Sequence, residues 1–420
     1  MKRPDSLTAL ASAVAGGDAS ALHTFWADAA ARGGPLIERA DGRPGWDITF
    51  LWRGAADAKR VLLFGGFAGL GLIDMMHLPG TDVWYAVYRA DPRLRTSYEF
   101  RPHLDIEGEI NGDPVLRAKA VEPEGWLPDP LNPDKMDFGV PQAPVMSVIA
   151  VPDAAAQPWL AAREGVPAGT VEPHRFESAT LGNARVIWTY TPPGYRTDGD
   201  PYPLVVLFDG FGYLKMDIAI TLDNLIAEKR IPPVICAMIH QLDRNVELPC
   251  NPQFIDCIAD ELLPTWVRQR YHATGDPART VIGGLSYGGL AATWAAFHRP
   301  HAFHNVLSQS GSYWWGPGLT IPARLDDASV DWHWLIRQYE ASALPPLRFY
   351  LDVGTRERPD LTDVYIYPDQ VACNRALRDV LVAKGHDVTY AEFIGGHDYA
   401  CWRGTIADGL IALLGALAPS

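Results

Sequence analysis

Gly284-Leu285-Ser286-Tyr287-Gly288 follows almost directly on the apolar pair Val281-Ile282 and leads into the helix-compatible stretch Leu290-Ala291-Ala292-Thr293-Trp294-Ala295-Ala296. A strand that turns sharply into a helix, with serine at the apex, is a nucleophile elbow. The turn leaves no room for side chains two residues before or after the serine, and the serine backbone itself sits in a strained conformation. A glycine-rich turn carrying an incidental serine is the competing reading. The strand before and the helix after favour the elbow.

The remainder of the chain has to supply a base, an acid and a scaffold. At 420 residues, two domains are the default expectation, and 48% hydrophobic with 20% charged residues describes a globular protein with ample core material. A net charge of −14 argues against nucleic acid or an anionic membrane surface as partner, although a local group of arginines can still receive an anionic small molecule. Cys236, Cys250, Cys257, Cys373 and Cys401 are dispersed and odd in number, so neither a disulfide framework nor structural zinc is expected. The N-terminal stretch lacks the apolar core of a secretion signal, and no run of 18 apolar residues occurs. The expected compartment is the cytoplasm.

Two periodicities divide the chain. Residues 6–32 read as one or two short amphipathic helices. From Trp46 the pattern becomes short β-branched and aromatic runs at 47–52, 60–64, 83–88 and 96–100, punctuated by Gly, Pro and Asp, as in an all-β sandwich. The proline-laden stretch Trp126 to Pro133 marks its end, and the expected first domain spans 1–145. Residues 146–420 open with a hairpin turning at Leu181-Gly182-Asn183, then alternate apolar strands at 204–208, 234–239, 281–282, 348–351 and 388–390 with helices at 251–270, 287–298, 369–384 and 402–417. That alternation predicts a mostly parallel sheet covered on both faces, the α/β-hydrolase architecture in which the elbow belongs.

In that architecture the catalytic order is Ser, acid, His. Of the histidines well beyond the elbow, His386 stands before the last strand, where a capping or solvent-facing role is expected. His397 stands after it in Ile394-Gly395-Gly396-His397-Asp398 and is the candidate base. The acid should follow the preceding strand. Glu357, one tight turn beyond its end, is the first choice, with Asp360 and Asp363 as alternatives. The two N–H groups for an oxyanion are expected from Tyr287 and from Phe211 in the loop Asp209-Gly210-Phe211-Gly212-Tyr213.

These residues resemble the enterochelin (enterobactin) esterases, hydrolases of the cytosol that open iron-loaded catecholate siderophores. The likeness is carried by Thr49-Phe50-Leu51-Trp52-Arg53, by Leu78 through Tyr85, by Arg244-Asn245-Val246-Glu247-Leu248, by the elbow, and by Gly395 through Gly404. The resemblance implies an immunoglobulin-like β-sandwich ahead of an α/β-hydrolase domain, with Ser286 as nucleophile, His397 as base and Glu357 as acid. It also implies that Arg244 touches the substrate. A ferric tris-catecholate is trianionic, so Arg356 is a second candidate contact, and Trp314 in Tyr313-Trp314-Trp315 is either a pocket wall or core packing. The stretch Phe211-Gly212-Tyr213 departs from the bulkier pattern expected there, which leaves the substrate within the class open.

The expected reaction is hydrolysis of a siderophore ester or lactone through an acyl-serine, with no cofactor or metal of the protein's own and iron arriving only with the substrate. A feruloyl- or acetyl-type carbohydrate esterase, or an acyltransferase using the same residues, is the alternative.

Overall fold

Runs of consecutive buried residues, Ile48–Leu51 in β2 (Trp46–Arg53) and Val83–Ala86 in β6 (Val83–Ala90), preceded by β1 (Leu36–Arg39), set the character of the first half of the chain: both strands are covered on both faces over these stretches. The computed structural model describes residues 3–418 except for short stretches, the longest being 67–71, 111–115, 138–144, 320–327 and 359–368. The described residues separate into two units. The first comprises Met1–Ala156 together with Ile394–Ala400, and the second most of the remainder.

In the first unit, β1, β2, β6 and β5 (Met76–His77) form an antiparallel sheet in the order β1-β2-β6-β5. A second antiparallel sheet has the order β4-β3-β7-β9-β8, from β3 (Leu62–Gly65), β4 (Leu72–Asp74), β7 (Arg95–Arg101), β8 (Lys135–Met136) and β9 (Met146–Ala150). Strand β9, beyond the expected boundary at 145, pairs with β7. Ile48, Phe50, Trp84 and Ala86 of the first sheet share one core with Leu63, Tyr98, Phe100 and Ile149 of the second. Burying a side chain such as Phe50 or Phe100 stabilises this core by about 1.5–3 kcal/mol. Helices α1 (Asp5–Ala15) and α2 (Ala21–Arg32) lay Leu7, Leu10, Phe25 and Trp26 against Leu51, Val83 and Tyr85. The proline-laden stretch is pinned from inside: Tyr98 Oη donates to Asp129 Oδ2 at 2.7 Å, and Asn132 Nδ2 donates to Tyr98 Oη at 3.1 Å.

The second unit holds an eight-stranded sheet. Its hairpin, β10 (Thr170–Ser178) and β11 (Asn183–Thr191), turns at Gly182 with φ +63° and is antiparallel to β13 (Ile235–Ile239). The remaining strands run parallel in the order β13-β12-β14-β15-β16-β17, from β12 (Leu204–Leu207), β14 (Thr280–Leu285), β15 (Asn305–Gln309), β16 (Arg348–Gly354) and β17 (Asp387–Phe393). Strands β12 to β16 are buried at almost every position because helices cover both faces. After β12 the chain moves outward to β13, then returns to β14 on the other side. The carboxyl ends of β12 and β14 therefore flank a topological switch point, where open α/β sheets bind ligands.

The connecting helices are α3 (Gly210–Lys215), α4 (Ile218–Ala227), α5 (Tyr287–His298), α6 (Trp334–Ala341), α7 (Gln370–Ala383) and α8 (Tyr399–Leu414). The stretch 252–270 starts at Asn251, whose side chain caps Phe254 N–H at 3.1 Å, and widens to π-type turns over Cys257–Val267, where Pro264 has no N–H to give. The helical run Tyr399–Leu417 has the length and apolarity to cross a membrane, but half of it is buried inside the protein, with Trp402, Ile406 and Leu410 packed inward. It is a core helix.

His386 corrects the expectation of a capping or solvent-facing role. It is 7% exposed, its Nδ1 accepts Leu347 N–H at 3.0 Å, and its ring meets those of Phe349 and Tyr339. Burial, with Lys384 close by, holds its pKa below the ordinary imidazole value. Contacts made across the fold, which the flanking residues do not reveal, place it inside.

Candidate active site

Ser286 stands between β14 and α5 with φ +56° and ψ −118°, a backbone conformation that costs an L-residue of order 1–3 kcal/mol. The surroundings enforce it. Ser286 N–H donates to Gln309 O at 2.8 Å, and Ser286 O accepts from Leu290 N at 3.1 Å and from Ser312 N at 3.2 Å. Gly284 and Gly288 lie backbone to backbone, so a Cβ on Gly284 would fall onto Gly288. On Gly288 it would meet Asp209 Oδ2 at 2.5 Å. The first is the collision the pentad predicts; the second comes from a different loop, the one after β12. The Ser286 side chain remains partly accessible, with Ser312 Oγ 3.4 Å from its own Oγ.

Tyr287 opens α5, and its N–H lies in the first turn of that helix, where backbone donors point out along the axis. Across the switch point, Asp209 stands two residues beyond β12 in the left-handed region with φ +54°, and α3 starts at Gly210 with Phe211 next. A Cβ at Gly210 would lie 2.6 Å from the backbone of Met238 and Ile239, so glycine is required for this loop to pass the end of β13. Phe211 is partly exposed, its ring 6.2 Å from that of Trp188.

Arg244 begins the helical turn Arg244–Glu247, fixed by Asp243, whose side chain accepts Asn245 N–H at 3.1 Å. Its guanidinium grips Asp209 with Nε to Oδ1 at 2.6 Å and Nη2 to Oδ2 at 3.1 Å, donates to Leu285 O at 3.2 Å, and lies 5.5 Å from the Tyr287 ring centre. Glu247, three residues on, makes a buried two-point pair with Arg185 at 2.8 and 2.9 Å and accepts Leu242 N–H. In the Arg-x-x-Glu-Leu element, therefore, Glu247 and Leu248 anchor the turn and Arg244 spans the site. Asp209, its partner, was not singled out from the sequence. An aspartate before a glycine at a strand end was the available signal, because Asp tolerates the left-handed conformation.

Glu357 lies in the turn after β16, 8% exposed. Its Oε1 accepts Ser310 Oγ at 2.6 Å and Gly354 N–H at 2.7 Å, and Ser310 Oγ in turn accepts Trp402 Nε1–H at 2.9 Å. A carboxylate is thus seated under the end of the sheet beside the segment 310–312 that backs the elbow. Ser310 and Ser312 are further members that the sequence reading passed over. The alternatives Asp360 and Asp363 lie outside the described residues. Arg356 is in the same turn, half-buried. Trp314 is 5% exposed with its ring tilted against Tyr287 at 5.8 Å, so it packs beneath the elbow.

Ser286, Tyr287, Phe211, Arg244, Glu357, Arg356 and Trp314 all belong to the second unit, whereas His397 lies in Ile394–Ala400, which packs with the first. Asp398, next to the histidine, is 4% exposed. Its Oδ1 accepts Ala400 N–H at 2.8 Å, and its Oδ2 accepts Thr96 Oγ1 at 2.8 Å and Ser97 N–H. Among the described residues no cluster of His, Cys, Asp and Glu could hold a metal ion.

Comparison with known proteins identifies the family. A family model described as a putative esterase matches residues 178–413, and one described as the N-terminal part of enterochelin esterase matches 47–160. The iron(III) enterobactin esterase of Dickeya dadantii is 32% identical, over 93% of this chain and 92% of its own. The iron(III) salmochelin esterase of Escherichia coli is 28% identical over 99% of both. Among solved structures, the ferric enterobactin esterase of Salmonella typhimurium superposes with a TM-score of 0.79 at 29% identity, covering 94% of this chain and 99% of that one. The enterobactin esterase of Shigella flexneri, solved in the presence of enterobactin, superposes at 0.76 with 29% identity, covering 94% and 98%.

Proposed function

This chain belongs to the enterobactin esterase family, and we propose that it is a serine hydrolase that cuts the ester bonds of iron-loaded catecholate siderophores of the enterobactin type. The observation that carries this reading is a strained, partly accessible serine at φ +56° in a chain matched over 93% of its length by such an esterase. The ester hydrolase activity and the small-molecule siderophore substrate follow from membership.

In the mechanism proposed, His397 takes the Ser286 hydroxyl proton as Oγ attacks the ester carbonyl. The N–H groups of Tyr287 and Phe211 receive the developing oxyanion, with the first turn of α5 adding its dipole. His397 then returns the proton to the departing serine-derived alcohol, and water repeats the sequence to free the acid. Glu357 orients the imidazole; its seat between Ser310 and Gly354 supports that role. Arg244 and Arg356 offer positive charge to a trianionic ferric catecholate within a protein of net charge −14. Arg244 does so as a pre-positioned donor, because Asp209 holds it. Trp314 supports the elbow from beneath.

No cofactor is assigned to the protein itself, and iron enters as part of the substrate. The first unit is proposed to be an immunoglobulin-like sandwich, which its two antiparallel sheets around one core support. A cytoplasmic site of action is proposed, in keeping with five buried thiols. Carbohydrate ester cleavage and acyl transfer are not favoured by relatives matched over nine-tenths of the chain.

Mass spectrometry of the products from ferric enterobactin tests the assignment. Wild type should release catecholoyl-serine units and Ser286→Ala none. Equal product from both proteins would refute it.

A further inference from the structure

Residues 394–400 follow β17 and include the first two residues of α8, elements otherwise built into the second unit, yet this short segment packs as part of the first. Three separate ties hold it there. Ile394 joins the core shared by the two sheets, beside residues of β2, β3 and β7. Gly396 is pressed against the backbone of Gly66 at the end of β3, so closely that a Cβ on Gly396 would fall onto the Gly66 carbonyl. Asp398 is received by β7, through the Thr96 hydroxyl at 2.8 Å and the Ser97 backbone N–H. A Cβ on Gly66 would lie 2.8 Å from Thr96 Oγ1 and 3.1 Å from Asp398 Oδ2, so the three contacts interlock. His397 is flanked by two of these ties.

We propose that Thr96, Ser97 and Gly66 are positioning residues for the esterase reaction: through Asp398 and Gly396 they fix the segment that presents His397. The proposal rests on the reading of His397 as the base. The physical ground is the distance sensitivity of proton transfer. A general base must sit within hydrogen-bond reach of the hydroxyl it serves, and a displacement of about 1 Å costs on the order of 100-fold in rate. A loop carrying two consecutive glycines, Gly395 and Gly396, has little stiffness of its own to meet that requirement. The buried anchor at Asp398 supplies it: its two oxygens accept three donors, and an ionised acceptor makes each of those bonds stronger than a neutral one would be. Thr96 is fully buried and Ser97 nearly so, and any effect they exert on catalysis must pass through the segment they hold.

The test is steady-state kinetics of the full-length protein on a small aryl ester and on ferric enterobactin, with Thr96→Val, Thr96→Ser and each combined with His397→Ala. Thr96→Val should lower kcat about tenfold or more on both substrates with KM little changed, and Thr96→Ser, which keeps the hydroxyl, should restore it. In the His397→Ala background Thr96→Val should cost nothing further. Asp398→Asn serves the same comparison if Thr96→Val does not fold, since it keeps the acceptor for Ala400 N–H and weakens the bonds to β7. Thr96→Val with wild-type kcat and only a lowered melting temperature would overturn the proposal, as would an equal loss with and without His397. Wild-type kcat in His397→Ala alone would instead refute the assignment of the base.

Discussion

Arg244 holds Asp209 at two points, Nε to Oδ1 at 2.6 Å and Nη2 to Oδ2 at 3.1 Å, while the same guanidinium reaches Leu285 O at 3.2 Å. Asp209 begins the loop with Phe211, and Leu285 immediately precedes the nucleophile. One side chain therefore ties together the two loops that leave the carboxyl ends of β12 and β14. A residue expected only to meet substrate turns out to brace the site as well.

Arg244→Lys should lower kcat on a small aryl ester about tenfold, because a single ammonium cannot reproduce a forked grip on Asp209 and a third bond to Leu285. Arg244→Ala should in addition cost stability of about 1–3 kcal/mol by stranding a mostly buried carboxylate. The aryl ester carries no trianion, so a variant that loses only siderophore affinity while keeping aryl-ester kcat would assign Arg244 to substrate contact alone.

Gly288→Ala should damage the elbow itself. The new methyl would sit 2.5 Å from Asp209 Oδ2, a carboxylate already fixed by Arg244. Relief requires moving one loop or the other, and overpacking of this kind costs about 1–3 kcal/mol. Thermal unfolding together with aryl-ester turnover reads the effect; an unchanged melting temperature and rate would show that Asp209 yields freely.

Glu357→Gln separates the charge of the carboxylate from its hydrogen bonds. The Gln carbonyl can still accept from Ser310 Oγ and Gly354 N–H, so the fold should persist with a melting temperature within a few degrees of wild type. If the charge orients and stabilises the histidine, kcat should fall by about tenfold or more. Unaltered kcat would move the acid to Asp360 or Asp363, or leave serine and histidine working without a carboxylate.

Glu99 predicts a pH dependence of stability. It is 6% exposed in β7, its Oε1 has no hydrogen-bond partner among the described residues, and burial, reinforced by the nearby charge of Asp398, raises its pKa from 4.5 to about 7. Because the folded-state value is the higher one, the protonated carboxyl is favoured by folding. That contribution is fully present below about pH 4.5 and is lost as pH rises to about 7. Glu99→Gln, neutral throughout, should gain on wild type across this window by an amount of order 3 kcal/mol. Urea unfolding of both proteins at pH 5 and pH 8 gives the comparison. A constant difference at the two pH values would contradict it.

The parts of the site that were legible in the sequence are those set by neighbours along the chain. The elbow could be read because Gly284 lies against Gly288, four positions on, although Gly288 itself is crowded by Asp209 from a distant loop. Helix α7 was placed to within a residue because Asp369 caps it locally, its side chain accepting Ala372 N–H at 2.9 Å. The hairpin at Gly182 follows the same logic. What could not be read depends on partners far apart in the chain. Arg244 and Asp209 are 35 residues apart, and Thr96 and Asp398 are 302 apart. His386 was misjudged for that reason, since the aromatic rings around it come from β16 and α6.

The membership of residues 394–400 in the first unit bears on how such a chain can be recombined. If His397 is the base, the esterase half is not exchangeable as a free-standing module: a graft onto a different N-terminal partner would arrive without the positions at 66, 96 and 97 that receive its segment, and recombination would have to carry them across or rebuild the histidine's support elsewhere.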